Sequence, residues 1–386
     1  MIATRIGELF PSGIRAVMTR AQEMEEGGAT VIHMEVGQPH FETPAHVKHA
    51  VQAALRGPVP GYTPNLGMGS LRRAVAERVF SRTGIAVGPE NVAVTSGAVM
   101  GLTTAILATV EPGSEVLVPD PGWPNYQSAV VLAGARPVPY SLEPAEGFVP
   151  DLERIESLIT PRTSMIMINS PSNPTGVVVG EELMRGLVEL AERRGIYILS
   201  DEIYEDMVFR GEHHSILAGG LTDRLIMVSG VSKSYAMTGW RIGWAVAAEP
   251  VVSAIGKLIE PLSSCPTTIS QIAAEAALRG PQDTVVEMRE AFAKAVSVLT
   301  EILGPTGTVV VQPGGAFYVL LDMTAAGLSS DEVTHELLEK KHVAVAPGST
   351  FGRASHGYVR VSTALSDSEL VQGCRRIREY WEERAA

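Results

Sequence analysis

Residues 164–201 read SMIMINSPSNPTGVVVGEELMRGLVELAERRGIYILSD. A nearly unbroken apolar run, Ser164–Asn169, gives way to a Pro- and Gly-containing turn. A helical pattern over Glu181–Arg194 follows, stops at Gly195 and leads into a second apolar run, Ile196–Ser200. Runs of this length without polar alternation suit strands covered by helices on both faces, as in a largely parallel sheet. The texture recurs on either side, at Asn91–Ser96, Glu115–Pro119, Arg136–Pro139, Arg224–Ser229 and Ile242–Ala247. Between the runs lie helix candidates at Val99–Val110, Pro124–Leu132, Asp151–Ile159 and Ser270–Leu278, with Asp151 as an N-cap. The pattern predicts an α/β fold with a mostly parallel seven-stranded sheet covered by helices on both faces.

The texture changes after Pro281. A long helical pattern, Val285–Leu303, precedes short strand candidates at Thr308–Val311, Ala316–Leu321, Val343–Ala346 and Tyr358–Val361, and a closing helix runs from Ser366 to about Glu383. This predicts a smaller α+β domain with an antiparallel sheet. The N-terminal residues stand outside the parallel series, so the smaller domain is expected to be built from both chain ends. The expected division is 1–47 as N-terminal arm and part of the small domain, 48–280 as the large domain and 281–386 as the small C-terminal domain.

At 386 residues the chain can bury a large cleft. Its net charge of −12, with no run of Lys or Arg, argues against nucleic acid as a partner. No window gives the long uncharged apolar run of a membrane helix, and the start, MIATRIGELFPSGI, lacks the features of a secretory signal. Cys265 and Cys374 make no disulfide framework or metal spacing, and His46/His49 and His213-His214 lack a third ligand. A soluble cytoplasmic protein without a metal is the expectation.

In open parallel sheets a ligand sits beyond the carboxyl ends of the strands. Polar or aromatic clusters follow five of the runs: Ser96-Gly97-Ala98, Asp120-Pro-Gly-Trp123, Asn169 to Asn173, Asp201, and Gly230 to Lys233. The chain has six lysines against twenty-five arginines, which makes Lys233 stand out. Unlike arginine, a lysine can lose its proton when desolvated and then condense with an aldehyde. Ser96-Gly97-Ala98, between a strand and a helix, suits a phosphate or a plain helix cap. Asp201 suits a ring nitrogen or an ion pair; Asn173-Pro-Thr-Gly176 forms a turn that can present an amide. Trp123 suits a flat ring or the core, and Tyr62 lies in a Pro/Gly-rich loop suited to a ligand or subunit contact. Arg360, inside the apolar strand YVRVS, needs an anion: a substrate carboxylate or a structural salt bridge. An aldehyde, a phosphate, a basic ring and a co-substrate carboxylate are together satisfied by pyridoxal 5′-phosphate with an amino acid.

With those residues stands a set of motifs in order along nearly the whole chain: GQPHF, YTPNLGMGSLR, SGA, PDPGWPNY, NSPSNPTG, SDEIY, SKSYAMTGWRIGW, GGAFY and YVRVS. In this combination the sequence resembles the class I/II aminotransferases of pyridoxal-phosphate fold type I, the aspartate aminotransferase-like family. The resemblance implies transfer of the α-amino group of an L-amino acid to a 2-oxo acid, with 2-oxoglutarate the usual acceptor. It implies that Lys233 carries the cofactor as an internal aldimine and then moves the Cα proton, and that Asp201 pairs with the ring nitrogen. Asn173 and Tyr204 would bond the ring's 3′-oxygen and Trp123 would stack on the ring. Ser96, Gly97, Ala98, Ser232 and Arg241 would hold the phosphate, with Tyr62 supplied by the second subunit of a homodimer with shared sites. Gly37, Asn173 and Arg360 would hold the substrate α-carboxylate.

Two positions depart from the family pattern. Many relatives have serine three residues before the lysine, where this chain has Gly230, so Ser232 is expected to substitute at the phosphate. Some aspartate-preferring relatives have lysine directly after the Gly-Ala pair, where this chain has Val99, which gives an uncharged donor equal weight with an acidic one. A lyase or decarboxylase using the same cofactor is the alternative. A regulator's effector domain would want an added basic DNA-binding head, for which the chain has no room. The segment around Gly67 has no dinucleotide fingerprint and no P-loop occurs.

Overall fold

The computed structural model describes the chain apart from residues 1, 3, 10–12, 59, 60 and 386, so part of the start MIATRIGELFPSGI lies outside the described residues. In chain order the first strands are β1 (Ile32–His33), β2 (Val92–Thr95), β3 (Glu115–Asp120), β4 (Arg136–Ser141), β5 (Thr163–Asn169) and β6 (Tyr197–Asp201). Then come β7 (Leu225–Gly230), β8 (Gly243–Ala247), β9 (Tyr318–Asp322), β10 (Val343–Ala344), β11 (Ala346–Pro347) and β12 (Tyr358–Ser362). One seven-stranded sheet has the order β2-β8-β7-β6-β5-β3-β4. Strands β4, β3, β5, β6 and β7 run parallel, and β8 lies antiparallel between β7 and β2.

The apolar runs are continuous because both faces are covered. Along β5, Met165 and Met167 pack into one cluster with Leu102, Ile106 and Val130, while Ile166 and Ile168 pack into the opposite one with Leu187 and Leu190. Successive side chains of a strand point to opposite faces, so each face needs its own apolar partners. The helix boundaries act as the sequence predicts: Asp151, an N-cap, accepts from the amides of Glu153 and Arg154, and Gly195 takes the left-handed conformation after Glu181–Arg194.

A second, smaller unit comprises the three-stranded antiparallel sheet β11-β12-β9 and the parallel pair β1-β10. Helices Asp283–Leu303, Ser330–Lys341 and Asp367–Ala385 pack on it around Val319, Leu337, Val359 and Ile377. Two expected strands differ. The run Val343–Ala346 divides between β10 and β11, which pair with different partners, and Thr308–Val311 forms no strand but a single bridge from Val309 to Leu321. Gly307, in the left-handed conformation, and Pro313, which has no N–H to give, close off the second segment on both sides.

Candidate active site

The carboxyl ends of the parallel strands place the chemistry. In the register of β5 and β6, Asn169 sits opposite Asp201, and the chain leaving β7 turns through Ser232 and Lys233. These ends and the second unit enclose a cavity of about 290 Å³. Of the residues singled out in the sequence, Gly37, Ala98, Trp123, Asn173, Asp201, Tyr204, Ser232, Lys233, Arg241 and Arg360 line it. Ser96 and Gly97 do not line it, though Gly97 lies against Arg241, which does. Tyr62 lies elsewhere, 91% exposed, beside a recess with Ser263, Cys265 and Thr267.

Lys233 Nζ donates to the Gly37 carbonyl at 2.6 Å and lies 5.9 Å from the centres of the Tyr204 and Phe317 rings. Burial, reinforced by the charges of Arg360 and Arg241, lowers its pKa from the ordinary 10.5 to about 8. Asp201 is pushed the other way. Burial raises its carboxyl to about 6, against the pull of a 2.8 Å hydrogen bond from Tyr126 Oη and of the Ile203 amide at 3.2 Å. An amine and a carboxyl that both lean toward neutrality, in one cavity, mark a reactive site.

Arg360 is 2% exposed, and among the described residues no carboxylate pairs with it. Its guanidinium lies over the rings of Tyr318 and Phe351, with centroids at 4.4 and 4.9 Å. Nη2 donates to the Glu35 carbonyl and Nη1 to Asn173 Oδ1 at 3.2 Å, while Nε has no partner. The structural salt bridge weighed for this residue is therefore not formed, and the orphaned donor suits an arriving anion. Asn173 is fixed in turn: its amide N–H donates to Asn169 Oδ1 at 2.8 Å, and Asn169 Nδ2 donates to the Asp201 carbonyl at 2.8 Å. With Oδ1 taken by Arg360, the side-chain NH2 is left to donate.

At the other end of the cavity, the helix Ala98–Thr109 starts from Gly97 at φ 84°, with no side-chain cap. The plain-cap reading of Ser96 thus finds no hydrogen bond, and the first-turn amides remain for a ligand. A Cβ on Gly97 would lie 2.3 Å from Arg241 Nη2, so the glycine lets the guanidinium come up to the helix start. Gly230 has a structural reason: a Cβ there would lie 2.9 Å from both Gly243 Cα and Ile242 O in the adjoining strand. A serine at this position would collide with backbone, and Ser232, two residues on, lines the cavity instead. The donor set fits pyridoxal 5′-phosphate: an amine, a carboxylate for a cationic ring nitrogen, and guanidinium, hydroxyl and helix amides for a phosphate.

Several lining residues escaped the sequence reading. Tyr126 lies one helical turn beyond Trp123 in PDPGWPNY, edge-on to its ring at 5.5 Å, a spacing that could have revealed it. Tyr318, whose hydroxyl meets that of Tyr204 at 3.0 Å, comes from GGAFY, 114 residues away in sequence. Ile14, Glu35, Val36, Ile203 and Thr238 also line the wall and carry no local signal of it, whereas Val99 and Asn169, both noted in the sequence, line it too. Gly37 is held to glycine by contact, because a Cβ there would lie 1.8 Å from the Tyr318 hydroxyl. Gly37→Ala should displace both Tyr318 and the carbonyl that receives Lys233, lowering kcat/KM about 10- to 100-fold in steady-state assays while circular dichroism stays unchanged.

Residues 29–377 match the family described as aminotransferase class I and II. The chain is 39% identical over 380 residues to a probable aspartate/prephenate aminotransferase of Thermus aquaticus, covering 97% of this chain and 98% of that one. It superposes on the aspartate aminotransferase of Thermus thermophilus with maleate at a TM-score of 0.94, with 37% identity and coverage of 98% and 99%. An aromatic aminotransferase of Pyrococcus horikoshii gives a TM-score of 0.90, with 33% identity and coverage of 94% and 99%.

Proposed function

This chain belongs to the class I and II aminotransferase family, and from that premise we propose which of its residues carry out the transfer of an α-amino group and how. The enzyme is a pyridoxal-phosphate-dependent aminotransferase. The bound cofactor supplies an electron sink for the pair released when a bond to the substrate's α-carbon breaks. Everything else falls to the protein. Lys233 Nζ, brought toward its neutral form by burial, takes the proton from Cα and returns one on the other side of the transfer. Asp201 holds the ring nitrogen's proton, and Tyr126 and the Ile203 amide fix its two oxygens. Asn173 and Tyr204, which line the same cavity, would donate to the ring's 3′-oxygen, and Trp123 would pack against the ring. Arg241, Ser232 and the amides at Ser96, Gly97 and Ala98 hold the phosphate. Arg360, with Asn173 and the backbone at Gly37, holds the substrate's α-carboxylate and so orients Cα toward Lys233.

The observation that carries this assignment is Arg360, a buried cation without an acid partner, sharing one cavity with Lys233 and Asp201. Tyr62, exposed in a Pro/Gly-rich loop, is assigned to the phosphate of a second copy, which makes the working unit a homodimer. Two free cysteines fit a reducing cytoplasm, and among the described residues no helix is long and apolar enough to cross a membrane. Relatives are named for aspartate, prephenate or aromatic substrates, so the wall of the pocket must decide the donor here.

Purified protein given an L-amino acid and a 2-oxo acid acceptor is expected to release the acceptor's amino acid and the donor's 2-oxo acid in equal amounts. Ammonia and a 2-oxo acid formed from the amino acid alone would instead identify a lyase.

A further inference from the structure

We infer that the amino donor is a monocarboxylic L-amino acid with an apolar side chain, and that Val99 is one of the residues that select it; this rests on the transamination reading above. The cavity has three cationic residues, and each has a task. Lys233 has to be neutral to react, Arg241 stands against the helix start at Gly97, and Arg360 offers its orphaned Nε to the α-carboxylate. Among the described residues no fourth cation lines the wall. A second carboxylate on the substrate would therefore be buried without a partner, which is costly.

The wall itself points the same way. Ile14 stands at the head of the helix Gly13–Glu26, Val36 precedes Gly37, and Val99 lies in the first turn of Ala98–Thr109. Three separate segments thus bring branched apolar residues to one space. Beside them is Glu35, whose residue is fully buried and whose Oε2 has no partner. Its other oxygen is taken by His33 Nδ1 at 2.8 Å and its backbone carbonyl by Arg360, so Glu35 brings no positive charge for a second substrate carboxylate. The segments adjoining Tyr62, residues 57–69 and 263–268, contain no lysine or arginine with which a second copy could supply the missing charge from there.

Single-turnover mixing of the cofactor-loaded enzyme with leucine, methionine, phenylalanine, aspartate and glutamate tests this. At least one apolar donor is expected to exceed aspartate about 100-fold or more in rate constant over half-saturation, the scale at which a site rejects a group it cannot pair. Aspartate reacting as fast as the best apolar donor would overturn the inference, whereas no reaction with any of the five would instead overturn the transamination reading. Calorimetry with two unreactive probes gives a readout independent of turnover: 4-methylpentanoate should bind more tightly than maleate, and the reverse order counts against the inference. Val99→Lys should raise the rate with aspartate at least tenfold and lower that with leucine. Val99→Thr, nearly unchanged in size, keeps the test open if the lysine variant does not fold, and is expected to narrow the leucine-to-aspartate ratio severalfold. A ratio unmoved in both folded variants would remove Val99 from the selection.

Discussion

Lys233→Ala is expected to lower kcat/KM by about 10⁴-fold or more, because in the proposed assignment one side chain would both hold the cofactor covalently and move the Cα proton. Wild type should show the absorption band of a covalently held cofactor; the variant should lack it after gel filtration. A variant that retains both the band and the rate would remove Lys233 from the chemistry. The same residue allows a test that needs no turnover. Its amine titrates near pH 8 in the fold against an ordinary 10.5, with burial the main cause. Between those values the unfolded chain binds the extra proton, so stability rises with pH across the window and the penalty is fully present at pH 7. Lys233→Met keeps the apolar stem and removes the amine. The cofactor-free variant should be about 1–3 kcal/mol more stable than wild type at pH 7, with the gain fading toward pH 10.5. Loss of stability at pH 7 would mean that the lysine is there for packing, not poised for reaction.

How much of this was legible in the sequence follows from the range of the interactions involved. The parallel sheet was readable because burial on both faces writes itself into each strand as an unbroken apolar run, as in Met165–Ile168. Helix Glu249–Ser263 was missed: prolines stand at both of its ends, at 250 and 261, and mask a strongly amphipathic interior. Helix Ser330–Lys341 was missed despite a local signal, the reciprocal capping of Ser329 and Glu332. In the site, Lys233, Asp201 and Arg360 were legible because few residue types can do what their surroundings ask. Asn169 was legible only as the start of a polar cluster at a strand end; its task of tying Asn173 to the Asp201 carbonyl appears only when the chain segments meet. Tyr318, Ile14 and Glu35 reach the cavity from the far ends of the chain, and no local pattern encodes a contact across three hundred residues.

Asp201→Asn should be nearly as damaging, lowering kcat/KM about 10²- to 10⁴-fold, since the amide is isosteric but cannot keep a cationic ring nitrogen charged. Its pH signature separates this electrostatic role from a structural one. Burial raises the folded carboxyl to about 6, above its ordinary 3.8, while Tyr126 and the Ile203 amide hold it down. Here the folded state keeps its proton longer than the unfolded chain. The cofactor-free protein therefore loses stability as pH rises from 3.8 to 6, and carries the full penalty of the buried charge above that range. Asp201→Asn lifts this penalty, so the empty variant should be at least as stable as wild type at pH 7, with the difference vanishing below pH 4. Binding should show the converse. Affinity of the empty protein for pyridoxal 5′-phosphate should fall more steeply below pH 6 in wild type than in Asp201→Asn, and the difference between the two curves isolates this one carboxyl from the cofactor's own ionisations. Tyr126→Phe, which removes a hydrogen bond to the charged form, should move that fall to higher pH. If the two affinity curves run parallel, Asp201 supports the loop it stands on and does not hold the ring's charge.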